Sequence, residues 1–504
     1  MNSIPALLLA VALLMLPGVS LADSRPSSTA AKIDLKPCEM EGFERLLENL
    51  PEALAATLDG AGRGLCGTYQ VPENRAEPGG RQIALRIMVL PTTGSEPSAD
   101  PIYAFAGGPG SSIVRSAWIT LVLGGARQER DLVLVDQRGT GESNPLACAG
   151  FGELTDLQSL FDPMMPEDVI AGCRKELSKI ADLKQYTTEQ HVRDVEAVRM
   201  ALGHGKINLY GGSYGTQPIQ EYLRRYPDSV RSAVMTGVSP LDSRPPLDHA
   251  AAGQLALDRW LDLCAADAAC KKAFPDPRGD LEKVLKRLEE KPAKVTFDAD
   301  DGKTSTIVLR REIFAEKLRG QMYQARRAVA IPKLLRQAAE GDFEPFVQAV
   351  LARERFSFRE GDNWFTGLLL SVTCSEALPH FTRAEAAARY EGTIFGSYRV
   401  DRQSAACENW PSGEISPGFH EPVRSSVPAL LLNGDLDPVT QTSGAELVAR
   451  HLENGRLIVL PHSGHSPADP ACSARLIAEF FKEGSAADLD TSCVEAIKAD
   501  PWVL

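Results

Sequence analysis

LYGGSYGTQ, residues 209–217, is the stretch on which the fold turns. An apolar run ending at Tyr210 enters Gly211, Gly212, Ser213, Tyr214 and Gly215, and a helical pattern from Ile219 to Tyr226 follows. Strand, tight turn and helix in that order hold a serine with its hydroxyl projected into a cleft, while the flanking glycines let backbone run close to neighbouring elements. The helix start adds the positive end of a dipole. Gly-x-Ser-x-Gly alone recurs by chance, so the strand before it and the helix after it carry the weight. Ser213 is the candidate nucleophile.

A serine hydroxyl is a weak nucleophile at neutral pH and needs a base held by an acid. Two later segments supply both. In ALLLNGDLDPVT (429–440) a strand ends at Gly434 and the loop offers Asp435 and Asp437; in LIVLPHSGHSP (457–467) another ends near Pro461 and the loop offers His462 and His465. The order Ser, Asp, His is that of the α/β-hydrolase architecture, whose functional groups sit on loops at the carboxyl ends of strands. The alternatives are a surface histidine for His465 and a turn-forming aspartate for Asp437.

AFAGGPGSS (104–112) reads as a strand followed by a glycine-rich loop. Gly-x-Gly-x-x-Gly and the lysine-containing phosphate loop are both absent, which leaves a plain turn or an oxyanion site. In the second case the amides of Gly108 and Tyr214 donate to the negative oxygen of a tetrahedral intermediate, at about 3 kcal/mol per donor. VDQRGTGESNP (135–145) ends a further strand with Asp136 and a loop containing Arg138, Gly139 and Gly141, and reads as scaffold near the nucleophile.

Further outward, apolar runs predict strands at 83–90, 102–105, 132–135, 207–210, 233–236, 429–432 and 457–460. Most are continuous, as expected of strands buried on both faces in a mainly parallel sheet covered by helices. Val192, Val195, Val198 and Leu202 repeat at helical spacing, with Gly203 as a stop. Between about Leu241 and Glu421 helical patterns dominate, at 252–264, 281–288 and 331–339, interrupted by a hairpin signal whose strands are 295–297 and 304–309. The expected fold is therefore α/β, a mainly parallel central sheet flanked by helices with a large, mostly helical lid insertion. The expected divisions are a signal peptide (1–22), an N-terminal extension (23–66), a first core portion (67–240), the lid (241–422) and a second core portion (423–504).

The 504 residues carry 67 acidic and 54 basic side chains, a formal charge of −13, with 43% hydrophobic and 24% charged residues. That composition is globular, and its acidity argues against a sequence-independent grip on nucleic acid or anionic lipid. MNSIPALLLAVALLMLPGVSLADS (1–24) has an apolar run to Leu16, a break at Pro17 and Gly18, and small residues before Asp23. This is a signal-peptide pattern, too short to span about 30 Å of hydrocarbon. Export to a periplasm or the extracellular space follows, with no membrane attachment once the signal is removed. The 10 cysteines fall in sequence as neighbours, Cys38 with Cys66, Cys148 with Cys173, Cys264 with Cys270, Cys374 with Cys407 and Cys472 with Cys493. Short separations favour that local pairing over the alternatives. Neither Cys-x-x-Cys nor His-Glu-x-x-His occurs, so a metal site has no motif behind it.

GGPG, DQRGTGES, GGSYGT, GDLDPVT and SGH, in this order, resemble the proline iminopeptidase and tripeptidyl aminopeptidase family of secreted α/β hydrolases. The resemblance covers about 67–240 and 423–495. It implies Ser213 as nucleophile, Asp437 as acid, His465 as base, oxyanion amides at Gly108 and Tyr214, no cofactor, and peptide substrates with a free N-terminus. Proline iminopeptidases commonly have a histidine before GGPG, where this chain has Ala106. In the lid the likeness thins to LLLSVTCSE (368–376) and CENWP (407–411), and Glu376 is the candidate carboxylate for a substrate α-ammonium group. Trp364, Phe365 and Trp410 read as lid packing or as an apolar pocket wall. The same machinery would serve a carboxylesterase, which acyl chemistry alone does not separate from an aminopeptidase. A non-catalytic binding module on this fold would have no need of nucleophile, acid and base together.

Overall fold

The computed structural model describes residues 33–504 apart from 49, 51, 59, 150–155, 300, 301 and 360–363. The expected signal peptide, and Asp300 and Asp301 of the expected hairpin turn, lie outside the described residues. The strands are β1 (Lys36–Glu39), β2 (Arg63–Pro72), β3 (Gln82–Leu90), β4 (Ile102–Phe105), β5 (Leu132–Val135), β6 (Ile207–Gly212), β7 (Val230–Thr236), β8 (Ala293–Asp298), β9 (Thr304–Leu309), β10 (Ala429–Gly434) and β11 (Gly455–Leu460). Nine form one sheet in the order β1-β2-β3-β5-β4-β6-β7-β10-β11, and β8 pairs with β9 in a separate hairpin. From β5 to β11 all neighbours are parallel. β1, β2 and β3 add an antiparallel edge. All seven expected strands are present in that sheet, and the hairpin falls at the expected place.

β1 and β2 carry no strand signal in the sequence. β2 crosses the boundary drawn at 66/67, so part of the N-terminal extension belongs to the sheet. Its burial is mixed, with exposed Thr68 and Gln70 beside buried Cys66 and Val71. An antiparallel strand half in water lacks the continuous apolar run that marks the central strands.

Continuous apolar strands make two cores, one per face of the sheet. Leu85, Ile87, Val133, Leu209 and Leu431 pack on one face, and Met88, Leu134, Tyr210, Leu430 and Leu432 on the other. Each fully buried Leu or Ile stabilises the fold by roughly 1.5–3 kcal/mol relative to exposure. The alternation of faces along each strand fixes the register.

That register levels the carboxyl ends: Phe105 pairs with Gly211, Gly212 with Thr236, Thr236 with Leu432, and Gly434 with Leu460. The chain leaves β4 toward β5 on one side and leaves β6 toward β7 on the other. Connections that part in opposite directions open a crevice at the strand ends, and ligands of open α/β sheets bind there. Between β7 and β10 the helical insertion builds a core of its own from Leu257, Phe314, Leu318, Phe346 and neighbours. A second apolar cluster joins Leu146, Ile170 and Tyr186 to Leu368, Leu370 and Trp410. Five disulfides pair the ten cysteines as neighbours in sequence.

Candidate active site

Ser213 follows β6 directly and adopts φ 57°, a left-handed conformation that costs a non-glycine residue about 1–2 kcal/mol. The strand, the turn and the helix Thr216–Arg225 impose it. The turn survives because Gly215 carries no side chain: a Cβ there would lie 2.6 Å from the Phe105 carbonyl oxygen at the end of β4. The glycine-rich loop after β4 runs past the serine, and a Cβ added at Gly107 would sit 3.4 Å from Ser213 Cβ. The amides of Gly108 and Tyr214 thus belong to the two segments flanking that side chain. Asp136 anchors the same loop by accepting from Ser112 Oγ at 2.6 Å and from the Val114 amide at 3.1 Å. Burial pushes its carboxyl up to about 6, which suits a structural acceptor. Arg138, fully buried, grips Asp194 in a two-pronged pair at 2.7 and 2.8 Å and stays scaffold.

The loops after β10 and β11 meet beside this turn. Asp437 Oδ1 accepts from the amides of Val439 and Thr440 at 2.8 and 2.9 Å, and Oδ2 accepts from Thr440 Oγ1 at 2.7 Å. His465 Nδ1 lies 2.7 Å from the same Oδ2. Asp435 plays a different part, its side chain accepting from the Ser463 amide at 3.1 Å and so shaping the histidine loop. His462 is on that loop but does not join the Asp437 pair. Burial opposes a charged imidazole at His465, yet the Asp437 carboxylate outweighs it and lifts the ring to about 9.

Ser213, Tyr214, Gly108 and His465 all line one cavity of about 2170 Å³, which the insertion roofs. Glu376, at the end of the helix Thr366–Glu376, lies on its wall. Its carboxylate accepts from the Thr188 amide at 2.6 Å and from Thr188 Oγ1 at 2.7 Å. Thr188 Oγ1 in turn meets Tyr214 Oη at 2.7 Å, which links Glu376 to the residue after the serine. Burial pushes Glu376 up to about 8, with Glu189 and Glu221 adding repulsion against the Thr188 donors. Glu221 pairs with Arg224 and Arg225, and Glu189 with Arg225. Among the described residues no ion pair reaches Glu376.

Of the three aromatic residues, Phe365 and Trp410 pack inside, Trp410 donating from Nε1 to Ser371 Oγ at 3.0 Å. Trp364 departs from lid packing, being 51% exposed on the cavity wall. Its backbone bridges to Ser111, which lines the same cavity.

Tyr323 escapes any reading of the sequence, yet its ring stands edge-on to His465 with centroids 5.2 Å apart. The segment is pinned to the histidine loop: the Ser466 amide donates to the Tyr323 carbonyl at 2.9 Å, and a Cβ at Gly464 would lie 2.5 Å from the Met322 carbonyl. No motif marks QMYQ (321–324); only the tight glycine of SGH hints that backbone approaches there.

A sequence profile described as the α/β-hydrolase fold matches residues 100–469. Tripeptidyl aminopeptidase of Streptomyces lividans is 26% identical over 435 residues, covering 79% of this chain and 77% of that protein. Serine protease Hip1 of Mycobacterium tuberculosis is 28% identical over 225 residues, covering 42% of this chain and 43% of that protein. Proline iminopeptidase of Neisseria gonorrhoeae is 29% identical over 107 residues, covering 21% of this chain and 24% of that protein.

Proposed function

We infer that this chain, which belongs to the family of proteins with the α/β-hydrolase fold, is an exported serine aminopeptidase releasing short N-terminal peptides or single residues. The observation that carries the reading is Glu376, a buried carboxylate without a cation of its own among the described residues, on the wall of the cavity that Ser213 and His465 share. An arriving substrate α-ammonium group is the cation that would stabilise its ionised form, through charge-assisted hydrogen bonds. The names of the relatives from Streptomyces and Neisseria support an aminopeptidase, and five disulfides favour an oxidising compartment.

In the mechanism that follows, His465 takes the proton of Ser213 Oγ as that oxygen attacks the scissile carbonyl. Asp437 holds Nδ1 and stabilises the imidazolium, and the amides of Gly108 and Tyr214 receive the oxyanion. His465 then gives its proton to the leaving amine, the C–N bond breaks, and an acyl-Ser213 ester remains. Water, deprotonated by His465, hydrolyses that ester and restores the serine. The insertion 241–422 acts as the lid that excludes bulk water, and 423–504 brings acid and base.

A matched pair of chromogenic peptides, one with a free and one with an acetylated amine, tests the reading. We expect kcat/KM to fall about 10- to 100-fold on acetylation, the worth of a hydrogen-bonded charge. If acetylation changes nothing and simple esters turn over faster, the carboxylesterase reading replaces this one.

A further inference from the structure

On the cavity wall near His465 the lid places four cations on two carboxylates. Glu316 Oε2 takes Arg319 Nη2 at 3.0 Å and Arg399 through Nε and Nη2, both at 3.2 Å. Glu354 Oε1 takes Arg353 Nη1 at 2.9 Å and Lys317 Nζ at 3.1 Å. All six side chains line the cavity. His249, on the same wall, adds no charge: burial, with Arg399 and Arg319 nearby, holds its imidazole well below the ordinary range. Glu316 thus faces two guanidinium groups, one positive charge more than its carboxylate neutralises, and Arg319 is withdrawn from water; a buried charge costs several kcal/mol unless a counter-charge joins it.

Arg319 sharpens the point. It is 3% exposed, gives Nη1 to Tyr323 Oη at 3.2 Å, and its buried Nε has no hydrogen-bond partner among the described residues. An unmade bond of that kind costs about 1–3 kcal/mol. Arg353 and Arg319 stand 5.3 and 5.8 Å from the centroid of the Tyr323 ring, whose edge meets His465. Around Glu316 alone, a network serving only the fold would reach neutrality with one arginine, and two are present.

The chemistry of the reaction assigns this wall a side. His465 must hand its proton to the leaving amine, so the departing fragment passes the imidazole and meets Tyr323 and the arginines. Glu376 connects instead through Thr188 to the side chain of Tyr214, the residue after the serine. We propose that Arg319, Arg353 and Arg399 bind a carboxylate on the leaving fragment, so that the enzyme favours peptides bearing one a short distance beyond the scissile bond. At about 3.3–3.6 Å of extended chain per residue, the reach past the ring of Tyr323 corresponds to roughly one to three residues. The carboxylate comes either from the C-terminus of a short leaving fragment or from an Asp or Glu side chain. The proposal deepens the aminopeptidase reading and rests on it.

Three peptides with one common acyl portion and a free amine decide the matter: a leaving dipeptide as free acid, the same dipeptide as its carboxamide, and a carboxamide with Glu in the second leaving position. We expect the wild-type enzyme to cleave a carboxylate-bearing peptide with kcat/KM about 10- to 100-fold above the plain carboxamide, the worth of a hydrogen bond between charged groups. Preference for the first names a C-terminal carboxylate as the ligand; preference for the third names a side chain. In Arg353→Gln the ratio should fall toward unity, with Arg399→Gln as the second variant should the first fail to fold. Three equal rates in wild-type enzyme, or a ratio that survives both substitutions, overturn the proposal and leave the aminopeptidase reading standing. Failure to cleave any of the three while turning over esters removes that reading itself.

Discussion

The floor and the roof of the cavity are built on opposite principles. In the floor, strand ends held in register by apolar packing place Ser213, Asp437 and His465 through backbone constraint: a strained φ at the serine, a close approach at Gly215, and two amides and a hydroxyl fixing the aspartate. In the roof, long charged side chains set the character of the surface, with Glu376 on one wall and Arg319, Arg353 and Arg399 on another. A floor of that kind tolerates no displacement and suits the step shared by all acyl transfers. A roof of that kind is where substrate choice varies without touching the bond-breaking step.

The largest effect that would break this division is on the floor. Ser213→Ala should lower kcat by about 10⁶-fold, with a melting curve like that of the wild type, since the loss is of the nucleophile and not of packing. Asp437→Asn should lower kcat by about 10⁴-fold, because an amide facing Nδ1 favours the wrong tautomer. Asp435→Asn, two residues away, keeps an acceptor for the Ser463 amide and should cost far less. Steady-state kinetics on a simple ester read all three. Equal losses at Asp435 and Asp437 would show that the acid had been assigned to the wrong residue.

The next effect, about tenfold per pH unit, separates floor from roof by ionisation. In the proposed mechanism His465 serves as a base only when unprotonated, and Asp437 raises it to about 9 in the free enzyme. On an ester without an ammonium group, kcat/KM should therefore climb through neutral pH, bend near 9 and level off above it. A plateau already reached near pH 6 would contradict the coupling of His465 to Asp437. Glu376 titrates in the roof, raised to about 8 by burial. A carboxyl raised on folding stabilises the folded state fully below its ordinary value near 4.5, and that contribution is lost as pH rises toward 8. Urea unfolding should show wild-type protein losing more stability than Glu376→Gln between about pH 5 and pH 8.

The same division explains what the sequence made legible. Central strands such as β5, LVLV, are apolar without interruption because both faces are covered, so pattern alone places them. Gly-x-Ser-x-Gly and the two carboxyl-end loops are short because backbone geometry admits few residues there. Glu376 drew attention only through the resemblance around LLLSVTCSE. The arginines had no such signal: helix 311–321 reads REIFAEKLRGQ, an ordinary solvated pattern, until Leu318 and Phe314 bury one face and the cavity takes Glu316 and Arg319. Which of its charged residues face water is a tertiary property, set by what the helix packs against. β2 escaped for the converse reason, its place in the antiparallel margin of the sheet, where Thr68 and Gln70 face solvent.

The smallest expected effect on turnover sharpens the comparison, because it loosens the roof while sparing the floor. Cys374–Cys407 joins the helix that ends in Glu376 to the helix Tyr398–Glu408, which carries Arg399, across a separation of 33 residues. Cys264–Cys270 closes only 6 residues within the insertion, and neither cysteine lines the cavity. By loop-closure entropy the first contributes about 4 kcal/mol and the second about 2 kcal/mol to stability, so both double-serine variants should melt earlier, the first more. Their catalytic consequences should differ in kind. Cutting the first lets Glu376 and Arg399 drift apart, and a charge displaced by even about 1 Å binds its partner less well. The preference for free over acetylated amines should shrink several-fold while ester turnover, which needs only the floor, changes little. Cutting the second should leave the preference intact. A loss of ester turnover in the first variant, equal to the loss of amine preference, would mean that floor and roof are one mechanical unit, joined through the contact of Gly464 with Met322 and Tyr323.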